Sequence, residues 1–290
     1  MAQKKQSQNR CFWNQIVYDV AMKNLFLLLL MIPLSIHASE KDHELLMATL
    51  YVQSSAEFYA NSSTIYRAAQ NNLDALLSDK NHTAALEQLE NFNDKPPAII
   101  LDVDQTVLDN SAYQARIIEK ETSYPDGWFD WAKEEKAEFM PGVLEFMEYA
   151  QSKDVEIFFV TNRELEIEKA TINNYKALGF RSASEEHILS RGENGWGSNK
   201  ASRRELIAKD YRIVMMFGDN FGDFVDINEN LLSPKDRVET IKKYSKYWGT
   251  SWYMLSNPMY GAWEGAIIDF DYGQPSDAIL RKKLDALDPK

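Results

Sequence analysis

Four short runs of hydrophobic residues lie between positions 98 and 255, and the first three end at a polar or acidic residue. Continuous apolar runs of this length are typical of strands buried on both faces, as in a parallel sheet. Segments with helical spacing separate the runs. This alternation predicts an α/β fold, a three-layer, Rossmann-like parallel sheet with helices on both faces. The predicted strands are 98–101, 155–160, 212–217 and 252–255, and the predicted helices between them are 142–151, 164–178 and 200–209.

Two segments do not follow this alternation. Residues 39 to about 90 show near-helical spacing of apolar residues and contain neither Pro nor Gly, which predicts a helical extension before the sheet. Residues 110–140 are rich in aromatic side chains and follow the first strand directly, so we expect a small inserted cap that overhangs the end of the sheet. The sequence therefore predicts one domain over residues 39–290, with a cap insertion at about 110–140.

The N-terminal segment has the features of an export signal. Its apolar run, 25–36, is short for a membrane span and has the length of the hydrophobic region of a signal peptide. Lys23 precedes the run, and Ala38 supplies the small residue that signal peptidase requires. We expect residues 1–38 to be a cleaved signal peptide, with Met22 as a candidate translation start, and the mature protein to be periplasmic or secreted. A buried helix or a membrane anchor is the alternative interpretation.

Cysteine and charge content exclude several classes of function. The only cysteine, Cys11, precedes the apolar run, so the mature chain would lack disulfides, thiolate metal sites and cysteine nucleophiles. No cysteine follows the run, so the protein is not predicted to be a lipoprotein, and we expect no stable membrane anchor. A net charge of −12 without a dense basic segment disfavours binding to nucleic acid polymers.

Two carboxylates, Asp102 and Asp104, directly follow the first buried run. At a strand end, one such carboxylate can attack phosphorus and form an aspartyl phosphate, while the other protonates the leaving oxygen and later activates water. An Asp-rich turn or a helix cap would explain the same pattern without any function. The pattern alone leaves both interpretations open.

Later strand ends add groups that suit a phosphoryl-binding site. Thr161 and Asn162 offer a hydroxyl and an amide to a phosphoryl oxygen, and Lys200 offers a positive charge. Asp219 and Asp223 follow the third run, and crowded carboxylates repel one another unless a cation neutralises them. Hard carboxylate oxygens favour Mg²⁺. Each piece by itself also fits a helix cap, a solvated lysine or a polar loop, but together they predict a magnesium-dependent site.

Taken in chain order, these pieces resemble the motifs of the haloacid dehalogenase (HAD) superfamily. The resemblance is closer to its secreted acid phosphatases, the class B-like enzymes and the lipoprotein e(P4)-like 5′-nucleotidases. It runs from about residue 45 to the C-terminus. Gln105 stands where many relatives carry Glu, a position that varies in the wider family. The stretches that carry the resemblance are LDVDQTVLDNSAY, VTNRE, SNKASRR, FGDNFGDF and NPMYGAWEG.

The resemblance implies a role for each matching residue. Asp102 is the expected nucleophile, Asp104 the general acid and base, and Thr161 and Lys200 the catalytic groups that bind the phosphoryl group. Asn162 is an expected substrate-binding residue. The expected ligands of Mg²⁺ are Asp102, the backbone carbonyl of Asp104, Asp219 and Asp223.

A nucleotide substrate is also implied. By the same resemblance, Trp128 in the cap and Tyr260 near the C-terminus would sandwich the base, although aromatic rings often only pack a cap against a core. The leading hypothesis is a Mg²⁺-dependent acid phosphatase that hydrolyses phosphate monoesters, with nucleoside 5′-monophosphates as substrates. Two alternatives stay open, a phosphotransferase that passes the phosphoryl group to an alcohol, and a storage or binding protein. The intact Asp102 disfavours the latter.

Overall fold

The computed structural model describes residues 43–290, and a parallel sheet forms the centre of this region. Five strands form the sheet in the order β5-β4-β1-β6-β7, and β2 and β3 form a separate antiparallel pair. The parallel α/β fold predicted from the sequence is therefore confirmed. The strands are β1 (Pro97–Leu101), β2 (Leu108–Asp109), β3 (Glu138–Phe139), β4 (Glu156–Glu164), β5 (Ile188–Arg191), β6 (Arg212–Gly218) and β7 (Trp252–Met254).

Helices connect the strands and follow the last one. Short 3-10 turns occur at 165–167, 185–187, 193–195 and 221–223. The helices are α1 (Leu46–Ser54), α2 (Ala56–Ser78), α3 (Ser111–Glu119), α4 (Trp128–Ala132), α5 (Val143–Gln151), α6 (Glu168–Ala177), α7 (Ala201–Asp210), α8 (Ile227–Asn230), α9 (Pro234–Lys243), α10 (Ala262–Ile267) and α11 (Ser276–Asp285).

The sheet separates two hydrophobic layers, because successive side chains of a strand point to opposite faces. In β1, Ile99 and Leu101 belong to one buried cluster, whereas Ala98 and Ile100 belong to the other. Strand β4 alternates in the same way, and β6 also contributes to both clusters, although its neighbours Val214 and Met215 belong to the same one. A sheet that is buried on both faces explains why its strands are continuous apolar runs in the sequence.

The strand order brings three chain segments to one edge of the sheet. Strand β1 lies between β4 and β6 and is parallel to both, with Leu101 level with Phe159 and Phe217. The residues that follow these strands therefore meet at the same edge. Here the strand order reverses, with β4 and β5 on one side of β1 and β6 and β7 on the other, and in open α/β sheets this is the usual place for a ligand.

The helical extension predicted over residues 39 to about 90 differs from the structure in two respects. Ser55 has an extended backbone, and its side chain accepts a hydrogen bond from the Phe58 amide, so α1 ends and α2 begins there. Helix α2 ends at Ser78. Beyond it, the fully buried Arg212 donates hydrogen bonds to four carbonyl oxygens of residues 76–82, which fixes an irregular connection that local sequence does not specify.

Strand β5 is missing from the sequence prediction. It contains only four residues, and its apolar part is Ile188 and Leu189, which is too short to stand out as a run. Pairing with Phe159 and Val160 of β4 makes it a strand at the edge of the sheet.

Segment 110–140, the expected cap, contains α3, α4 and β3. Among the residues described, no helix is both long and apolar enough to cross a bilayer. The signal peptide expected over residues 1–38 lies outside the described region and stays a prediction.

Candidate active site

A tight loop after β1 carries the first two carboxylates. Gln105 has a left-handed backbone, with φ of 53°, and the amides of Val107 and Leu108 both bond to the carbonyl of Val103. The buried Tyr66 of α2 donates a hydrogen bond from its hydroxyl group to the carbonyl of Thr106 at 2.6 Å. The helical extension thus helps to hold the loop that presents the predicted nucleophile.

Lys200 lies at the centre of the site, between two carboxylates. Its ammonium group donates to Asp102 and also to Asp223, the latter at 2.6 Å, and all three side chains are buried. Burial alone would lower the pKa of Lys200, but attraction to Asp102 and Asp223 outweighs it and raises that pKa above its ordinary value. Lys200 is therefore charged at any physiological pH and compensates part of the negative charge around it.

The carboxylates around Lys200 nevertheless outnumber its single positive charge. Asp102, Asp219 and Asp223 each place an oxygen within 4.8 Å of the other two. Burial raises the pKa of Asp102 to about 7 against the opposing attraction of Lys200, and the nearby Asp223 and Asp104 add to the rise. Burial, with repulsion from Asp102 and Asp223, likewise raises the pKa of Asp219.

Three oxygen donors with excess negative charge fit a divalent cation that prefers carboxylate ligands. Three of the expected magnesium ligands, Asp102, Asp219 and Asp223, are thus brought together. The fourth, the backbone carbonyl of Asp104, stays a prediction.

Hydrogen bonds fix Asp219 and Asp223, the two carboxylates of the loop after β6. Asn257 donates to Asp219 at 2.7 Å, and the backbone amide of Asn220 donates to Asp223 at 2.9 Å. Gly218 leaves room for this arrangement, because a Cβ atom at that position would collide with the Asp223 carboxylate. Asn257 belongs to the NPMYGAWEG stretch and is a site residue that the sequence analysis missed.

Arg203 holds two of the predicted phosphoryl-binding residues, Thr161 and Asn162, through hydrogen bonds. This fully buried arginine donates to the carbonyl of Thr161, to the side chain of Asn162 at 2.8 Å, and to the carbonyl of Gly197 at 3.1 Å. It thereby joins the end of β4 to the loop that precedes Lys200. Burial lowers the pKa of Arg203 to about 10. The sequence analysis missed Arg203, and its only signal was a place in the SNKASRR stretch.

Asp104 is held by two residues that the sequence analysis also missed. Arg163, at the end of β4, bonds to one carboxylate oxygen of Asp104, and Asn110 donates to the same oxygen. Burial alone would lower the pKa of Arg163, but the charge of Asp104 outweighs it and raises that pKa. The only sign of this contact in the sequence was the place of Arg163 in the VTNRE stretch.

The two aromatic rings expected to hold a base differ in their surroundings. Tyr260 is half-buried, and its hydroxyl accepts a hydrogen bond from Asn110 at 3.2 Å. Asn110 also bonds to Asp104, so the Tyr260 hydroxyl lies beside that carboxylate, and burial together with the charges of Asp104 and Asp219 raises the pKa of Tyr260. Trp128 is only 6% exposed and stacks on Trp131, with ring centroids 5.4 Å apart. Its role in base binding stays a prediction.

Comparison with known proteins agrees with the observed fold. Residues 23–263 match the family model of the HAD superfamily, subfamily IIIB (acid phosphatase). Two crystal structures of the class C acid phosphatase from Bacillus anthracis, one with tungstate bound, are 35% identical to this chain, with TM-scores of 0.75 and 0.74. Each match covers 84% of this chain and 97% of the other.

A parallel sheet with a buried carboxylate and lysine cluster at its carboxyl edge defines an enzyme of phosphate-ester chemistry. The chain belongs to the HAD superfamily, subfamily IIIB, and is an acid phosphatase, a phosphoric monoester hydrolase. The resemblance inferred from the sequence is confirmed.

Proposed function

We propose that this acid phosphatase uses Mg²⁺ and hydrolyses nucleoside 5′-monophosphates through an aspartyl phosphate formed on Asp102. The observation that carries the proposal is the buried cluster in which Lys200 contacts Asp102 and Asp223 beside Asp219. Asp102 as the proposed nucleophile, Lys200 as a buried cation and the proposed oxygen ligands of the metal lie together at one edge of the sheet.

In the first step, an oxygen of Asp102 attacks phosphorus, a phosphorus–oxygen bond to Asp102 forms, and the bond to the leaving oxygen breaks. Asp104 donates its proton to that leaving oxygen. In the second step, water attacks the aspartyl phosphate and gives its proton to Asp104. The bond between phosphorus and Asp102 breaks and inorganic phosphate leaves. Lys200 and Thr161 hold the phosphoryl oxygens in both steps.

Asp102, Asp219 and Asp223 would hold the metal. When bound, Mg²⁺ would neutralise charge on the phosphoryl oxygens. Support comes from the geometry of the cluster, in which three carboxylates lie close together and Lys200 bonds to only two of them. Activity should disappear in EDTA and return with Mg²⁺, and calorimetry should detect Mg²⁺ binding that Asp219→Ala weakens. Full activity of the chelated enzyme would exclude a magnesium site.

A nucleotide base would lie between Tyr260 and Trp128, with Asn162 near the phosphate. Stacking on aromatic side chains is worth about 1–3 kcal/mol per base. Support comes from the position of Tyr260, which is bonded to Asn110 beside Asp104. Against it, Trp128 is largely covered by its neighbours, so a purely structural role for that ring is the competing explanation.

The substrate proposal is tested with adenosine 5′-monophosphate and ribose 5-phosphate. Both are esters of the 5-oxygen of ribose, but only the first carries a base. Trp128→Ala and Tyr260→Ala should raise KM for the nucleotide by roughly tenfold and leave KM for ribose 5-phosphate nearly unchanged. Equal losses on the two esters would make the rings structural. Product analysis with added alcohol would separate hydrolysis from phosphotransfer, the remaining alternative reaction.

Export into the periplasm or medium forms the last part of the proposal. The apolar run 25–36, followed by Ala38, supports cleavage before Ser39 and release without a lipid anchor. Mass spectrometry of the exported protein should find Ser39, or a residue close to it, at the N-terminus. An intact Met1 or Met22, or retention in the membrane fraction, would contradict this part of the proposal.

A further inference from the structure

Arg163 is a buried cation at the end of β4, with only 2% of its side chain exposed. Its Nε donates to Oδ1 of Asp104 at 2.8 Å, and its Nη2 lies 2.8 Å from the same oxygen. Burying a guanidinium is costly unless a carboxylate and further hydrogen bonds compensate it. Such a costly group next to a predicted catalytic carboxylate calls for a functional explanation.

All the contacts to Asp104 converge on one of its two oxygens. Asn110 donates from Nδ2 to Oδ1 at 2.8 Å, so three nitrogen atoms surround that oxygen. Within residues 43–290, Oδ2 of Asp104 accepts no hydrogen bond, and the side chain is 21% exposed. The carboxylate is therefore held in one orientation, with Oδ2 as the oxygen available to a substrate.

The two residues that hold Oδ1 are themselves fixed. Nη1 of Arg163 donates to Thr171 at 3.0 Å, and the guanidinium carbon lies 5.4 Å from the centroid of the Trp128 ring. The backbone amide of Asn110 donates to the side chain of the buried Gln105. This rigidity matters because proton transfer to a leaving group requires the donor oxygen within hydrogen-bond reach.

We propose that Arg163 is a positioning residue that, with Asn110, holds Oδ1 of Asp104 so that Oδ2 exchanges the proton with the leaving oxygen and then with water. This inference rests on the proposed role of Asp104 as general acid and base. A proton on Oδ1 would displace one of the surrounding N–H groups, whereas Oδ2 can carry it without loss of a contact. Arg163 itself does not touch the substrate.

The test compares esters whose leaving groups differ in their need for a proton. The value of kcat/KM covers the steps up to release of the alcohol, so it reports on leaving-group protonation. A dinitrophenolate leaves without a proton, whereas the sugar oxygen of ribose 5-phosphate requires one, and neither ester has a nucleotide base to contact Trp128. For Arg163→Gln, kcat/KM should fall by about 100-fold or more with ribose 5-phosphate, since general acid catalysis typically contributes 10²–10⁴. With 2,4-dinitrophenyl phosphate, kcat/KM should change only a few-fold.

Two further variants make the comparison decisive. Asn110→Ala removes one donor to Oδ1 and should give the same pattern with a smaller loss, about tenfold with ribose 5-phosphate. It also serves if Arg163→Gln does not fold. Arg163→Lys should recover part of the activity towards ribose 5-phosphate, because a lysine can supply the charge but not the planar fork. Arg116→Gln is the matched control. It replaces a half-exposed arginine of α3 that pairs with Glu134, and it should leave activity towards both esters unaffected.

The outcomes separate this inference from the proposed function. Asp104→Asn should show the same dependence on the leaving group as Arg163→Gln. If Asp104→Asn loses activity equally on both esters, Asp104 is not the general acid and the proposed mechanism fails. If Asp104→Asn shows the dependence but Arg163→Gln and Asn110→Ala lose activity equally on both esters, Arg163 is merely structural and only this inference is overturned.

Discussion

Replacing Lys200 with methionine should change the relation between metal and stability. Methionine keeps much of the side-chain length of Lys200 but removes its charge, so the contacts to Asp102 and Asp223 are lost in a buried site. In the metal-free variant, Asp102, Asp219 and Asp223 then lie close together without the lysine charge that had bonded to Asp102 and Asp223. Removal of one partner from a buried ion pair costs about 3–5 kcal/mol.

The lower end of that range applies to Lys200→Met. Asp102, with a pKa raised by burial to about 7, can relieve the repulsion by taking up a proton. A loss of about 3 kcal/mol in a domain of this size lowers Tm by roughly 6–12 °C. Saturating Mg²⁺ should restore most of the lost free energy of unfolding, since a ligand at 100 times its Kd stabilises the native state by about 2.7 kcal/mol.

Thermal unfolding followed by circular dichroism, in EDTA and in excess Mg²⁺, measures both effects. We expect a larger rise of Tm on addition of Mg²⁺ for Lys200→Met than for the unmodified enzyme. Lys242→Met, at an exposed lysine paired with Glu239, is the control and should change neither value appreciably. An unchanged Tm of metal-free Lys200→Met, or a smaller Mg²⁺ response, would refute the assigned charge balance.

Three other predictions concern the same cluster. Gly218→Ala should weaken Mg²⁺ binding by roughly 10–100-fold in calorimetry, because its methyl group displaces Asp223; unchanged affinity would contradict this. The metal-free enzyme should lose stability towards urea as pH rises from about 4 to about 7, since burial raises the pKa of Asp102 and favours its neutral form. A urea midpoint that rises over this range would contradict that reasoning. Asp219→Asn should bind Mg²⁺ more weakly yet keep its fold, and unchanged binding would remove Asp219 from the ligand set.

The parts of the site that could be predicted from sequence are those next to strand ends. Asp102 and Thr161 directly follow an apolar run and Asp219 follows one after Gly218, so the topology of a parallel sheet alone brings them to one edge. Lys200 is different, because one lysine among many carries no local signal. Its place was inferred from chain order and resemblance, and the structure puts it between two carboxylates.

Other features depend on contacts that are distant in sequence. Arg163 and Arg203 act through partners 59 and 42 residues away, and their residue type also suits a solvated surface. Asn110 lies only 6 residues from Asp104, but the contact depends on the tight loop between them. The break at Ser55 is a local competition between a side-chain cap and the helix, which apolar periodicity does not reveal. Strand β5 is a strand because β4 offers it a pairing edge, and not because of its own composition.

The most direct test of the account is to trap the covalent intermediate. The enzyme would be mixed with a phosphate monoester labelled at phosphorus, quenched in acid within the first turnovers, digested and mapped by mass spectrometry. The account predicts an acid-stable, hydroxylamine-sensitive phosphoryl group on Asp102, and neither label nor turnover in a folded Asp102→Asn variant. A label on another residue, or substantial hydrolysis by Asp102→Asn, would contradict the central claim.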